Sequence, residues 1–228
     1  MLIARVLPPA AVGEEAYGDP EDGAGQPALF PAEEREIAHA GYKRRREFTT
    51  GRVCARRALT RLGLAPAPLP PGPTGAPAWP AGVTGSITHC AGYRAAAVAR
   101  SAELAGLGID AEPHAPVSPA VRRGITSPSE RAHLDRLDAV RPGIHWDRLL
   151  FSAKESVYKA CSFLAPRALR FEDAEVTFSP GTGTFTAHLA AGSLVLTGRW
   201  HVSHGILLTA AALPGRATPW TKSEVRLT

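Results

Sequence analysis

Residues 106–113 have the sequence Gly-Leu-Gly-Ile-Asp-Ala-Glu-Pro, a short apolar run that ends in two carboxylates separated by one residue. Because side chains alternate along a strand, Asp110 and Glu112 are expected on the same face. Two oxygen ligands on a rigid element suit Mg²⁺, which takes one or two protein carboxylates and completes its shell with phosphates and water. A strand end that enters a polar turn explains the same residues, so the octapeptide alone leaves both interpretations open.

The chain of 228 residues is long enough to bury a substantial core, as one large domain or as two small ones. Its three cysteines, Cys54, Cys90 and Cys161, are odd in number and far apart. This usage predicts a reducing compartment, the cytoplasm, and argues against a structural zinc site. No apolar run reaches the roughly 18 residues of a membrane span, and the N-terminus lacks the long apolar region of a signal peptide. The sequence therefore predicts no membrane partner.

The formal net charge is +5, from 26 Lys+Arg against 21 Asp+Glu, and arginine supplies most of the positive charge. An arginine excess favours phosphate-bearing or acidic partners. The basic residues concentrate in one N-terminal stretch, without zinc-finger spacing, an RNP-type aromatic motif or a long basic helix with interleaved aromatics. Nucleic-acid binding is therefore the weaker interpretation, and no nucleic acid is expected among the partners.

Composition and periodicity divide the first half into loops, helices and strands. Residues 1–30 are rich in Pro, Gly and acidic residues, which predicts loops. Helical patterns cover residues 31–63, with a turn expected near residues 48–51 and an end at Gly63. Three strands are expected to form the first sheet, at residues 83–87, 94–99 and 104–111.

The second half repeats the order of helices followed by strands. Ser127 and Glu130 predict a capping box, and apolar residues at helical spacing predict a long buried helix over residues 145–164. Antiparallel strands are expected at residues 169–178, 183–189, 193–202 and 206–213. The repetition predicts an α+β fold of two related lobes. The predicted boundaries are a loop-rich segment at residues 1–30, an N-terminal lobe at 31–113 and a C-terminal lobe at 114–228.

Three further groups of residues carry candidate chemistry. Residues 85–90, Gly-Ser-Ile-Thr-His-Cys, combine hydroxyls and a histidine at a strand end, where backbone N–H groups can also bind phosphate. Arginines in the first helical region can bind phosphate through their paired N–H groups. Glu155 and Lys159 are neighbours at i,i+4 on the long helix. Each group alone has an ordinary explanation as well: a structural histidine, a solvated arginine face and an exposed ion pair.

The motifs at residues 85–90, 108–112 and 146–160, in this order, resemble those of the 4′-phosphopantetheinyl transferase superfamily, of the Sfp and enterobactin-synthase-component type. The Arg-rich segment 44–59 and Pro-Ala-Trp-Pro at 77–80 are similar to the same group. The resemblance covers roughly residues 30–213. It implies two similar lobes in a pseudo-twofold arrangement, each with helices packed on a small antiparallel sheet, and an active site in the cleft between them.

The same resemblance implies an activity, a metal and roles for individual residues. The 4′-phosphopantetheine arm of coenzyme A would move to a serine hydroxyl of an acyl or peptidyl carrier protein, with release of adenosine 3′,5′-bisphosphate. Asp110, Glu112 and Glu155 would hold Mg²⁺, and Glu155 would help to deprotonate the serine, directly or through water, with Asp110 and Lys159 completing the catalytic set. Contacts with coenzyme A are expected from the residues at matching positions: Arg44, Arg52, Ser86, Thr88, His89, Asp110, Lys154 and Lys159.

One departure from relatives is that no Lys or Arg occurs between Arg61 and Arg94, so Pro71 and Thr74 cannot supply the loop lysine that relatives often carry. The affinity for coenzyme A is then expected to depend more heavily on the arginines.

Elementary chemistry supports the assignment, because phosphoryl-type transfer needs a metal on the phosphates, cations for developing charge and a base for the attacking hydroxyl. The basic excess would also steer an acidic carrier protein to the cleft. Two lobes in one chain would complete the cleft, so a monomer is expected. The alternatives are a Mg²⁺-dependent hydrolase of coenzyme A and a binding module for an acidic protein or nucleic acid.

Overall fold

A computed structural model of the chain describes residues 1–18, 29–72, 75–162, 169–189 and 194–215. Within these ranges the helices are Pro31–Glu36 (α1), Tyr42–Arg61 (α2), Pro119–Ile125 (α3), Pro128–Val140 (α4) and Trp146–Cys161 (α5). The strands are Val12–Tyr17 (β1), Val83–Cys90 (β2), Tyr93–Arg100 (β3), Leu104–Pro113 (β4), Ala174–Ser179 (β5), Thr184–Leu189 (β6), Val195–Ser203 (β7) and Ile206–Pro214 (β8). This mixture of helices and antiparallel strands confirms the predicted α+β class.

The strands form two antiparallel sheets. One has the order β1, β3, β2, and the other has the order β4, β8, β7, β6, β5. The prediction that residues 104–111 belong to the first sheet is wrong, because β4 pairs with β8 along its length, with Asp110 opposite Thr209. Partner choice between strands far apart in sequence depends on long-range packing, which local patterns do not encode. The lobe boundaries and the pseudo-twofold relation stay predictions.

The segment predicted to be loops, residues 1–30, contains a strand. β1 pairs with β3, and Glu15 of β1 accepts the backbone N–H groups of Leu2 and Ile3 at 2.8 Å each. The same carboxylate accepts the Tyr93 hydroxyl at 2.9 Å. These tertiary contacts override the loop-forming composition. The acidic residues 19–22 lie outside the described residues.

The turn expected near residues 48–51 is also absent from this part of the structure, because α2 is continuous from Tyr42 to Arg61. Phe48, Thr50 and Gly51 are buried, so packing of α2 overrides the weak helix propensity of this sequence. The break between the first two helices lies at residues 37–41 instead, and α2 ends before Gly63, whose φ of 78° suits glycine.

The long helix, the capping box and the presence of the four C-terminal strands are confirmed. The first of these strands begins at Ala174 and not at residue 169, because Phe171–Asp173 form a 3-10 turn. α5 spans Trp146–Cys161, and Ser127 and Glu130 exchange both capping hydrogen bonds, at 3.1 and 2.8 Å. The predicted helix end at Leu164 and strand start at Ser193 lie outside the described residues. Among the described residues, no helix combines the length and the hydropathy needed to cross a bilayer.

β4 lies between two packed layers. Leu107, Ile109 and Ala111 point into a core shared with β3 and β8, while the opposite face of the strand meets α5. At Gly108 the two backbones touch: a Cβ there would lie 1.8 Å from the carbonyl oxygen of Ser156 and 2.6 Å from the amide nitrogen of Ala160. The missing side chain therefore lets α5 lie directly on the strand that carries Asp110.

We expect Gly108→Ala to lower the free energy of unfolding by about 3 kcal/mol or more, at or above the upper end of ordinary overpacking costs, because the obstructing atoms are backbone. Urea unfolding followed by circular dichroism measures the change. Gly124→Ala in α3 is the matched control, since a Cβ at Gly124 meets nothing within 4 Å. Equal stability of the two variants would contradict the close approach.

Candidate active site

The centre of the site is an ion pair between β4 and α5. Lys159 Nζ donates to Asp110 Oδ1 at 2.6 Å and to the carbonyl oxygen of Ile109 at 3.1 Å. The Thr88 hydroxyl donates to the same carboxylate at 3.4 Å and accepts the amide of Ala111 at 3.0 Å. Asp110 is 5% exposed, and its second oxygen, Oδ2, is buried without a hydrogen-bond partner among the described residues. A buried carboxylate oxygen without a partner is costly unless a ligand or an ion completes it.

Glu155 lies near this ion pair on α5. It makes no hydrogen bond or ion pair with the described residues, and burial raises the pKa of its carboxyl, with the nearby Lys159 opposing that rise and Asp110 adding to it. The Glu155 carboxyl is therefore half-buried and has no hydrogen-bond partner among the described residues. Its position and chemistry suit either a metal ligand or an acceptor of a proton.

The Glu112 carboxylate forms an ion pair with Arg148. Its Oε2 accepts from Arg148 Nη1 at 2.9 Å, and Arg148 also donates to the carbonyl oxygens of Ala115 and Pro116, at 3.2 Å each. Burial raises the pKa of Glu112, and Asp110 raises it further, while Arg148 lowers it. Arg148 thus compensates a second carboxylate close to Asp110.

The carboxylate oxygens of Asp110 and Glu155 are of the type that Mg²⁺ prefers, but they do not form a complete set of metal ligands. Among the described residues, no three His, Cys, Asp or Glu side chains converge as a preformed metal site. Mg²⁺ usually takes only one or two carboxylates and completes its shell with phosphate oxygens and water. The unpartnered Asp110 Oδ2 and the uncommitted Glu155 carboxylate meet that requirement.

A groove of about 680 Å³ lies between β2 and α5 beside this centre. Ser86 and Lys159 line it from the two sides, and the Trp79 ring closes one wall. A Cβ at Gly85 would lie 2.9 Å from that ring, so glycine at this position makes room for the indole. Its volume lies within the range of small-molecule sites, and Lys159 is among its lining residues.

A cationic cluster, formed by Arg44, Arg52 and His89, lies at the C-terminal end of β2. Arg44 Nη1 is 3.3 Å from His89 Nε2, and the guanidinium carbons of Arg44 and Arg52 lie 5.9 and 4.1 Å from the centre of the Phe48 ring. Arg52 Nε donates to the carbonyl oxygen of Leu69 at 2.7 Å, and burial lowers the pKa of Arg52 to about 10. Guanidinium groups held by a ring face and a carbonyl are preorganised for an anion.

Comparisons with known proteins agree with this geometry. The model described as the 4′-phosphopantetheinyl transferase N-terminal domain matches residues 32–99, and the model described as the 4′-phosphopantetheinyl transferase superfamily matches residues 106–210. The 4′-phosphopantetheinyl transferase Svp of Streptomyces mobaraensis is 50% identical over 225 residues, which are 95% of this chain and 91% of the relative. The chain belongs to the 4′-phosphopantetheinyl transferase superfamily.

Two further relatives agree. The 4′-phosphopantetheinyl transferase PptT of Mycobacterium tuberculosis is 42% identical over 230 residues, covering 93% of this chain and 98% of its own. Enterobactin synthase component D of Escherichia coli K12 is 35% identical over 147 residues, which are 62% of this chain and 66% of the relative. The chain is thus a phosphopantetheinyl transferase, an enzyme type that moves the phosphopantetheine arm of coenzyme A to a carrier protein.

Lys154 is a residue of the transferase that the structure does not bring to this site. Its Nζ donates to Glu130 Oε2 at 2.9 Å and to the carbonyl oxygens of Ile125 and Phe171 at 2.8 and 2.7 Å, and Lys154 is 1% exposed. All three N–H donors are therefore used inside the fold. Arg56, another arginine of α2, donates through Nη1 to both carboxylate oxygens of Glu33, at 3.0 and 2.9 Å.

Two charged residues that contact the predicted site residues, Glu47 and Arg148, were not predicted from the sequence. Glu47 is buried beside His89 and Arg94, and Arg148 holds Glu112. Glu47 had a detectable signal, because it is the one acidic residue in the basic stretch 43–61. The position of Arg148, ahead of the lysine and glutamate motif, carries no such signal.

We expect Lys154→Met to cost about 3–5 kcal/mol of unfolding free energy, because it leaves the buried Glu130 carboxylate uncompensated. Urea unfolding measures the loss, and Lys43→Met is the control, since the Lys43 side chain is 84% exposed. The double variant Lys154→Met with Glu130→Gln should recover part of the stability, because no charge is then left unpaired. Unchanged stability of Lys154→Met together with weakened coenzyme A binding would favour the phosphate contact expected from the resemblance.

Proposed function

We propose that this transferase moves the 4′-phosphopantetheine arm of coenzyme A to a serine hydroxyl of an acyl or peptidyl carrier protein in a Mg²⁺-dependent reaction that releases adenosine 3′,5′-bisphosphate. The observation that carries the proposal is the Asp110 carboxylate. One of its oxygens is held by Lys159, and the other is buried without a partner among the described residues, next to the uncommitted Glu155. Family membership supplies the reaction type, and these three residues supply groups that suit it.

Asp110 and Glu155 are the proposed ligands of Mg²⁺, and Glu112 joins them if it gives up its ion pair with Arg148. When bound, Mg²⁺ neutralises the charge that develops on the pyrophosphate oxygens. The buried, unpaired Asp110 Oδ2 supports this assignment, because a lone buried carboxylate oxygen otherwise pays the cost of its lost hydration.

The protein groups then have separate tasks in the transfer. The carrier serine oxygen bonds to the phosphorus next to the pantetheine, and the bond from that phosphorus to the bridging oxygen of the pyrophosphate breaks. The serine proton passes to Glu155, directly or through water, and the electron pair leaves with adenosine 3′,5′-bisphosphate. Lys159, fixed by Asp110 and the Ile109 carbonyl, would interact with the transferred phosphoryl oxygens.

Binding of coenzyme A is proposed to use both ends of β2. The groove beside Ser86 and Trp79 would take the pantetheine arm, and Arg44, Arg52 and His89 would hold the 3′-phosphate. Thr88 acts indirectly in this arrangement, since its hydroxyl is used by Asp110 and Ala111. The net charge of +5 supports attraction of an acidic carrier protein.

The compartment and the oligomeric state are part of the proposal. Cys54, Cys90 and Cys161 are free and buried, which supports a reducing compartment such as the cytoplasm. Because β2 and α5 of one chain both line the groove, a monomer suffices for the reaction.

The test is intact-protein mass spectrometry of an apo carrier protein incubated with this enzyme, coenzyme A and Mg²⁺. We expect a gain of one phosphopantetheine mass, and removal of the metal by EDTA should abolish the gain. Consumption of coenzyme A without carrier modification would replace the proposal with hydrolysis. Untouched coenzyme A with acyl and peptidyl carriers alike would leave only a binding function.

In the same assay, Asp110→Asn and Glu155→Gln should each lower kcat by at least about 100-fold, the lower end of what a general base or an oriented charge contributes. Glu103→Gln, at an exposed position, is the charge-matched control and should retain full activity. Far-UV circular dichroism checks that the variants fold. Wild-type rates in either folded variant would contradict the assigned roles.

A further inference from the structure

Glu47 is a buried carboxylate in the middle of the cationic cluster. Lys43 Nζ lies 3.9 Å from its Oε1, and Arg94 Nη2 lies 3.6 Å from the same oxygen. Its Oε2 is 3.6 Å from Nδ1 of His89. Glu47 is 9% exposed, so its charge faces the protein and these cations more than water. No role in the transfer chemistry described above requires it.

The two ring nitrogens of His89 face groups of opposite charge. A guanidinium has only N–H donors, so Arg44 Nη1, at 3.3 Å, donates and His89 Nε2 accepts. The neutral ring therefore carries its proton on Nδ1, which faces the Glu47 carboxylate at 3.6 Å. The His89 side chain is 38% exposed, whereas that of Glu47 is 11% exposed. The carboxylate near Nδ1 is thus buried, whereas Arg44 near Nε2 is exposed.

We propose that Glu47 is a positioning residue that makes His89 a cationic hydrogen-bond donor to the 3′-phosphate of the nucleotide. The inference rests on the proposed function, because it takes the cluster as the subsite for that phosphate. When the phosphate arrives, its oxygens replace His89 Nε2 as the acceptor of Arg44. Nε2 takes a proton from solvent and donates it in a hydrogen bond to the phosphate, while Nδ1–H stays directed at Glu47.

The surrounding charges explain why this carboxylate is needed. Burial lowers the pKa of His89, and Arg44, Arg94 and Lys159 lower it further, whereas Glu47 raises it. In the free enzyme the ring is therefore mostly neutral at neutral pH. A bound phosphate dianion adds its charge to that of Glu47, and together they favour the imidazolium form. Without Glu47, the three cations oppose protonation and only the phosphate favours it.

Isothermal titration calorimetry tests the proposal without any transfer reaction. The probes are adenosine 3′,5′-bisphosphate and adenosine 5′-monophosphate, which differ by the 3′-phosphate alone. We expect Glu47→Gln to weaken binding of the bisphosphate by about tenfold, because a charge-assisted hydrogen bond from His89 to the phosphate is lost or becomes a weaker neutral one, and to leave binding of the monophosphate unchanged. Glu34→Gln, at an exposed position of α1, is the matched control and should bind both probes like the wild type.

Proton uptake gives a readout that a merely structural role would not move. Titrations near neutral pH in buffers of different ionisation enthalpy should show more protons taken up with the bisphosphate by the wild type than by His89→Gln. Glu47→Gln should resemble His89→Gln, and the double variant should bind no more weakly than His89→Gln alone. Glu47→Asp, which keeps the charge, should recover part of the affinity.

The proposal would be overturned if Glu47→Gln weakened the binding of both probes equally, or if it left the affinity for the bisphosphate unchanged. Further weakening in the double variant would do the same. If Glu47→Gln does not fold, the comparison of wild type with His89→Gln decides, since equal proton uptake by these two excludes the imidazolium donor. Loss of carrier modification with intact 3′-phosphate selectivity would reject the proposed function and leave the role of Glu47 standing.

Discussion

The contact between the backbones of β4 and α5 at Gly108 determines how Asp110 and Lys159 meet. A strand and a helix usually keep a layer of side chains between them, and here that layer is missing for one residue. Asp110 follows two residues later on the same face, so its carboxylate reaches the helix where Lys159 can meet it at 2.6 Å. The ion pair of Asp110 and Lys159 thus depends on this backbone packing.

The buried carboxylates of this protein differ in how far neighbouring cations and hydrogen-bond donors compensate their charge. Glu130 is fully paired with Lys154 inside the fold and stabilises the contact between α4 and α5. Asp110 is only half compensated, because its Oδ2 has no hydrogen-bond partner in the described part of the chain. Glu47 lies among cations whose summed charge exceeds its own, so this region keeps a net positive charge. Glu130 and Asp110 are both buried, so they differ in unused hydrogen-bonding capacity more than in burial.

Local patterns in the sequence predicted the parts of the fold that depend on local physics. Alternation placed Asp110 and Glu112 on one face, helical spacing placed Glu155 and Lys159 together, and the capping box at Ser127 began α4 where expected. Loops were predicted where β1 forms, and a turn where α2 continues, because burial against distant residues overrides weak propensity. The sheet partner of β4 was missed because strand pairing far along the chain has no local signature.

The site residues, too, were predictable where local patterns suffice and unpredictable where contacts between distant elements decide. Arg44 and His89 could be paired with a phosphate from residue type and motif, and the structure brings them within 3.3 Å. Lys154 precedes Glu155 in the chain, but adjacent helical residues point about 100° apart, so one turns into the core and the other to the site. Glu112 shares a face with Asp110 and yet is taken by Arg148, a contact between elements that spacing alone cannot predict.

A crystal structure of this transferase grown with coenzyme A and Mg²⁺ would decide most directly whether the half-compensated Asp110 is the centre of the chemistry. We expect the metal on Asp110 Oδ2, the pyrophosphate between that metal and Lys159, and the 3′-phosphate against Arg44 and His89. Coenzyme A bound outside the groove between β2 and α5, or a metal held without Asp110, would contradict the claim that the contact at Gly108 places the reactive carboxylate.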